Sequence, residues 1–198
     1  MIQFLESNIL DKNEQTLKIS YQRTISIIFG KYPYVEDIHN LIIQIKNNLN
    51  KDMSYATNVK GGMTSFQHFL NNPIATKFLH YCINRHQTSN PELFKYFYER
   101  HFIKECWGNE IKENDNVEPH KHNCWHSILY LTKGTPLILP ELNLKITPSP
   151  GDYYFFPPEI LHYVPKNESK EVRYNLITNI EQNPNWKKNK EIQEICKK

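Results

Sequence analysis

The sequence predicts a mainly β fold with flanking helices, in which short strands close into a sandwich or barrel. Three observations carry this. After residue 118, short β-type runs alternate with turn signals: HSILYLT then KGTP, LILPELNLKIT then PSPGD, YYFFPP, HYVPKNES and VRYNLITNI. Several strands at such regular spacing characterise sandwiches and barrels. Helix-period patterns are confined to the first half of the chain. Aromatic residues reach 13% and offset an apolar content of only 39%, because each ring buries a large area.

The elements follow in order. LKISYQRTISIIFG, residues 17–30, is β-branched, partly alternating and ends in Gly, which predicts one or two strands. In YVEDIHNLIIQIKNNLN, residues 34–50, apolar side chains recur at Val35, Ile38, Leu41, Ile42, Ile45 and Leu49. That is helical spacing with acids in the first turn, hence an amphipathic helix. NVKGGMTSFQHF contains the Gly-Gly pair. It lacks phosphate-loop spacing and reads as a turn or bend. Asn72–Pro73 opens a second helix, with Pro at a favourable first position. PELFKYFYERHFIKECWGNEIKEND starts helix-like and then alternates, which predicts a strand over 99–112. Prolines cluster at strand ends and turns, where sheet edges tolerate them.

Composition narrows the function classes. The 198 residues suit one domain with a proper core. Net charge is +3 with acids and bases interspersed, so no nucleic-acid partner is expected. The lysines of NWKKNKEIQEICKK form a solvated basic tail. No segment approaches the ~20 apolar residues of a membrane span, so no membrane partner is expected. Cys82, Cys106, Cys124 and Cys196 are widely spaced without CxxC, arguing against a disulfide framework or zinc ribbon. The start lacks the basic end and apolar run of a secretion signal. A cytoplasmic location is therefore expected. Richness in Asn, Lys and Ile, with six Gly, reflects an AT-rich genome. No Ser–His–Asp or Cys–His nucleophile pattern stands out.

The chemistry gathers in EPHKHNCWH, residues 118–126. Side chains at i and i+2 of a strand share a face, so His120 and His122 would converge, as two imidazoles must to bind one ion. Glu118, Cys124 and His126 share that parity if no bulge intervenes. A lone HxH also occurs on ordinary strand surfaces. His162 strengthens the metal reading: it follows an aromatic strand and a Pro-Pro turn, and antiparallel pairing could bring it opposite the HxH pair. Arg173 follows in VRYNLI, with Val172 and Tyr174 on the opposite face. An arginine on a central strand is costly to bury without an anion. Its partner is either a protein carboxylate or a bound dicarboxylate held bidentately.

Residues from about 55 to 180 resemble the 2-oxoglutarate/Fe(II)-dependent oxygenases common in marine bacteria and their phages. The resemblance rests on TNVKGGMTSFQHF, ECWGNEIKENDNVEPHKHNCWHSILYL and SPGDYYFFPPEILHYVPKNESKEVRYNLITNI. The family pattern is a Trp-containing strand, an HxH, a Ser/Tyr strand, G-D-x-x-x-F-P-x-x-x-x-H-x-V-x-P, and then an arginine; here ten residues separate His162 from Arg173, as in the H-x10-R tail of the wider superfamily. The resemblance implies a double-stranded β-helix, a jelly-roll or cupin-like barrel open at one end. The chain itself shows no boundary between independent domains and reads as one, with residues 1–98 as helices and edge strands packed on the barrel, 99–182 as a metal-binding core and 183–198 as a tail. The resemblance implies Fe(II) on His120, His122 and His162, which are then the catalytic residues. It also implies 2-oxoglutarate as co-substrate, with its distal carboxylate on Arg173 and the Tyr130 hydroxyl assisting. The substrate would be a small molecule or a protein side chain such as proline.

One position departs from the wider superfamily, which has Asp or Glu where His122 stands, completing a two-His, one-carboxylate face. His122, Glu118 or a water could complete the site, and a metal other than iron becomes plausible. Asn123 or Ser127 could fix the imidazole tautomers. The alternative is a cupin-type metal protein that does not use 2-oxoglutarate. In that pattern His126 stands where cupins place a Glu, and Gly151, Pro157 and His162 follow the second motif. Arg173 separates the two readings, since a cupin has no special need of it. His39, His68, His80, His86 and His101 are read as core or surface residues. Trp107, Trp125, Cys124 and the Tyr153–Phe156 run are read as packing.

Overall fold

The computed structural model describes residues 25–186. Two sheets face one another, with helices on the outside of the larger. The elements in chain order are β1 (Ile28–Lys31), α1 (Val35–Asn47), β2 (Val59–Lys60), β3 (Gly62–Met63), α2 (Pro73–His86), α3 (Pro91–Phe94), α4 (Phe97–Arg100), β4 (His101–Ile111), β5 (Asn116–His120), β6 (Trp125–Tyr130), β7 (Leu137–Leu139), β8 (Leu144–Ile146), β9 (Asp152–Phe156), β10 (His162–Val164) and β11 (Arg173–Gln182). The large sheet runs β1-β9-β6-β11-β4-β3 and the small one β2-β5-β10-β7-β8. Every pairing is antiparallel. Of the strand expected over 17–30, β1 is its last part; residues 17–24 lie outside the described residues, as do 187–198 of the basic tail.

The large sheet is buried on both faces, so its central strands carry apolar residues at both parities. On the outer face, Ile38, Leu41 and Ile45 of α1 and Phe78, Leu79 and Cys82 of α2 pack on Leu129, Tyr153, Phe155, Tyr174 and Leu176. On the inner face, Trp107, Ile128, Tyr130, Phe156 and Ile177 meet Val117, Leu137 and Val164 of the small sheet. α1 is an amphipathic helix with acids in its first turn. α2 is capped by Asn72, whose side chain accepts from the Ile74 and Ala75 amides. Close approach of α1 to β4 depends on Gly108: a Cβ there would fall 2.3 Å from Ile45 Cγ1.

Two local expectations change. The Gly-Gly pair is not simply a turn: Gly61 has a strand on either side, β2, which pairs with β5 in the small sheet, and β3, which starts at Gly62 and pairs with β4 in the large one. Gly61 makes the switch possible because a Cβ would meet the Glu110 carbonyl at 2.7 Å. The segment 118–126 is not one strand. β5 ends at His120, residues 121–124 form the connection, and β6 begins at Trp125 in the other sheet. Crossing between sheets requires that break, so simple parity cannot run from Glu118 to His126.

Candidate metal centre

His120 ends β5 and His162 begins β10, and the two are direct cross-strand partners. Antiparallel neighbours facing each other bring their side chains together on one face, and the ring centroids lie 4.4 Å apart. His122 joins them from the connection between the sheets rather than from a strand, its backbone carbonyl held by the Glu159 amide at 2.8 Å. Its ring centroid lies 5.1 Å from that of His120 and 5.3 Å from that of His162. One nitrogen from each of the three rings falls within 4.8 Å of the others. An ion about 2.1 Å from each nitrogen holds its ligands about 3–4.2 Å apart, so the trio needs a contraction of roughly an ångström.

The tautomers of two rings are fixed by the backbone. His120 Nδ1 donates to the Glu118 carbonyl at 2.7 Å and His162 Nδ1 to the Ile160 carbonyl at 2.9 Å. Each Nε2 therefore presents its lone pair, the usual arrangement for a metal-binding imidazole. These carbonyls do what was expected of Asn123 or Ser127. Asn123 is exposed, and Ser127 alternates with His126 on β6 and so faces away from it. Burial pushes the pKa of His122 down to about 4 and of His162 to about 3, and lowers that of His120 as well. All three rings are thus neutral near pH 7, as ligation requires. Glu118 does not join them: its carboxylate lies 3.5 Å from Lys60 Nζ on the surface. Cys124 is buried outside the trio. A set of neutral imidazoles suits iron, nickel, copper or zinc, so the residues present fit Fe(II) without selecting it.

The three histidines line a narrow cavity of about 40 Å³ between the sheets. Arg173 lines it too, and is 1% exposed. Gly134 and Thr135 secure it: a Cβ on Gly134 would fall 2.9 Å from the Arg173 Cβ, and the Thr135 carbonyl accepts from Arg173 Nη1 at 3.0 Å. Among the described residues no carboxylate lies within ion-pair distance of this guanidinium. Its Nε is buried without a hydrogen-bond partner. Tyr130, fully buried on β6, places its ring 5.0 Å from the guanidinium carbon, and its hydroxyl is likewise without a partner. Burial raises the Tyr130 pKa to about 12, so the phenol stays protonated.

Two further groups line the cavity, His126, which the sequence placed only in the cupin-type alternative, and Trp107. His126 is buried, with both ring nitrogens lacking a partner, and its centroid lies 4.4 Å from that of His122 and 4.8 Å from that of His162. Trp107, read as packing, points its unpartnered Nε1 into the buried interior. Strand parity held both signals: His126, Ile128 and Tyr130 alternate on β6, as Trp107 and Asn109 do on β4. His101 and His86 lie outside the cavity. His86 Nε2 is 2.7 Å from the Tyr153 hydroxyl under α2.

Two facing antiparallel sheets carry the histidines at one end and the arginine further in. The fold is a double-stranded β-helix. It is similar to the viral collagen prolyl hydroxylase of Paramecium bursaria Chlorella virus-1, solved as a 2-oxoglutarate complex, at TM-score 0.59 and 14% identity over 80% of this chain and 96% of that one. It is similar to a Pseudomonas putida prolyl-4-hydroxylase at TM-score 0.60 and 14% identity, over 81% and 94%. HygX from Streptomyces hygroscopicus, with nickel and 2-oxoglutarate bound, superposes at TM-score 0.57 and 7% identity, over 79% and 83%. These neighbours are 2-oxoglutarate/Fe(II) oxygenase-like proteins. No family model and no curated protein matches the chain. Among the described residues, no helix is long and apolar enough to cross a membrane.

Proposed function

We propose that this chain is a 2-oxoglutarate/Fe(II)-dependent oxygenase acting on a small molecule or a protein side chain. The observation that carries the reading is Arg173. A guanidinium buried in a cavity with no carboxylate partner is expensive unless an anion from outside completes it. Three imidazoles lining the same cavity supply the other half of a site for a ligand with a chelating end and a distal carboxylate. The double-stranded β-helix and the oxygenase-like neighbours support the same reading.

In this reading His120, His122 and His162 hold Fe(II), and the carbonyls of Glu118 and Ile160 keep two of the rings in the ligating tautomer. Arg173 pairs with the distal carboxylate through its fork of N–H donors. The Tyr130 hydroxyl, protonated and unpartnered, donates to that carboxylate. The apolar walls, among them Val59, Ile128, Leu137, Val164 and Ile177, exclude water and strengthen these contacts. When bound, iron and 2-oxoglutarate supply the oxidising chemistry; the protein contributes orientation and a dry pocket. The free thiols of Cys82, Cys106 and Cys124 fit a reducing cytoplasm.

The test is an anaerobic titration with Fe(II) and then 2-oxoglutarate, following the visible charge-transfer band of a chelated 2-oxo acid. A saturable band that Arg173→Ala abolishes supports the oxygenase. Tight metal binding with no response to 2-oxoglutarate favours the cupin-type alternative, which the all-imidazole donor set leaves open. No metal uptake sinks both.

A further inference from the structure

The cavity is electropositive beyond what a dicarboxylate can neutralise. A carboxylate ligand would have offset one charge of a divalent ion, but His122 offsets none. The ion and Arg173 together bring three positive charges, and 2-oxoglutarate answers two of them. Among the described residues no Asp or Glu lines the cavity. Glu105, which shares the parity of Trp107 and Asn109 on β4, is outside that lining and accepts from the Asn179 amide at 2.7 Å. Glu110 pairs with Lys112 at 2.6 Å, and Glu118 with Lys60. An uncompensated charge in a buried site draws a counter-ion.

The unpartnered groups of the lining include two acceptors, Asn109 Oδ1 and Asn175 Oδ1, and, beyond Arg173 and Tyr130, two donors. A neutral imidazole carries one N–H, so His126, with both nitrogens buried and unpartnered, contributes a donor without an acceptor. The Trp107 indole Nε1 contributes a second. Arg173 and Tyr130 are accounted for by the dicarboxylate; His126 and Trp107 are not. His126 packs directly against His122 and His162, so its donor belongs to the end of the cavity where the metal-binding rings converge.

We propose that this cavity takes a second, singly charged anion besides the dicarboxylate, with His126 at the histidine end and Trp107, which lines the same cavity, as its hydrogen-bond donors. The anion is either a free inorganic ion or the carboxylate of an organic substrate. The proposal rests on the oxygenase reading only for the charge that 2-oxoglutarate supplies.

The test uses the full chain loaded with Co(II), whose visible bands report its ligands without turnover. The protein is saturated with 2-oxoglutarate under argon and then titrated separately with azide, chloride and acetate. At least one anion is expected to give a saturable spectral change at millimolar concentration or below. Azide or chloride alone marks an inorganic ion, and acetate marks a substrate carboxylate. In His122→Asp the fixed charge returns, and anion affinity is expected to fall by about tenfold or more while 2-oxoglutarate still saturates. Trp107→Phe keeps the ring and removes the donor, and is expected to weaken the anion several-fold. Absence of a saturable change with all three anions overturns the proposal, as does unchanged anion affinity in both variants. If 2-oxoglutarate gives no response while an anion binds in a His122-dependent way, the anion site stands and the oxygenase reading falls.

Discussion

The Arg173 guanidinium carbon lies 5.0 Å from the centre of the Tyr130 ring, and neither side chain's free polar group finds a partner in the protein. The ring faces the cation and steadies it through its π cloud, a contact worth about 2 kcal/mol when desolvated. That is far less than the cost of burying the charge, so the pair is poised for a ligand rather than for stability.

Arg173→Met should therefore raise the thermal stability of the ligand-free protein, or leave it unchanged, while lowering 2-oxoglutarate affinity by about a hundredfold. Arg173→Lys should recover only part of the affinity, since an ammonium cannot fork onto a carboxylate. Tyr130→Phe should cost only several-fold. Calorimetric titration and melting curves on the three variants check all of this. A Met variant that melts well below wild type would mean that the guanidinium is structural.

Metal binding should stabilise the fold, because unfolding scatters ligands from β5, β10 and the connection between the sheets. With Ni(II) at about a thousand times its dissociation constant the gain is about 4 kcal/mol. His120→Ala and His162→Ala should each lose most of this shift, and a chelator should reverse it. Denaturant unfolding with and without metal measures it.

Gly134 has φ +143°, a conformation side-chain-bearing residues rarely adopt. Gly134→Ala adds both strain and a contact with the Arg173 Cβ. The cost should be about 1–3 kcal/mol. The same variant should weaken 2-oxoglutarate more than metal, because Arg173 moves and the histidines do not. Paired titrations of metal and 2-oxoglutarate separate the two effects.

His101 supplies a pH dependence away from the cavity. It is 5% exposed with a buried, unpartnered Nδ1, and burial holds its pKa down at about 4. In the unfolded chain it titrates near about 6.5. Between these values the unfolded state binds the extra proton, so the contribution of His101 is full above about pH 6.5 and is lost as pH falls toward about 4. His101→Phe should flatten that part of the stability curve. Urea unfolding at pH 7.5 and pH 5 shows it.

Part of this site was legible in the sequence because its signals are local. His120 and His162 each sit in a short β-type run bounded by turn residues, although β6 to β9 lie between the two runs, and the inward side of Arg173 follows from alternation along VRYNLI. The helices at Val35–Asn47 and Pro73–His86 follow from period and cap. Other features depend on three dimensions. The strand break at residues 121–124 exists because the chain changes sheets there, and nothing in KHNC announces it. The Gly61–Gly62 strands are two residues each, too short for any periodicity. His126 and Trp107 lie on strands buried on both faces, where inward and outward residues look alike. Their importance shows only once their unpartnered nitrogens are seen.

The short β2–Gly61–β3 segment acts as a clasp. Within five residues it is hydrogen-bonded first to one sheet and then to the other, beside Val59, a residue of the cavity wall. Any parting of the sheets along that edge has to tear those bonds. Widening the chamber on that side would cost bonds to both sheets at once.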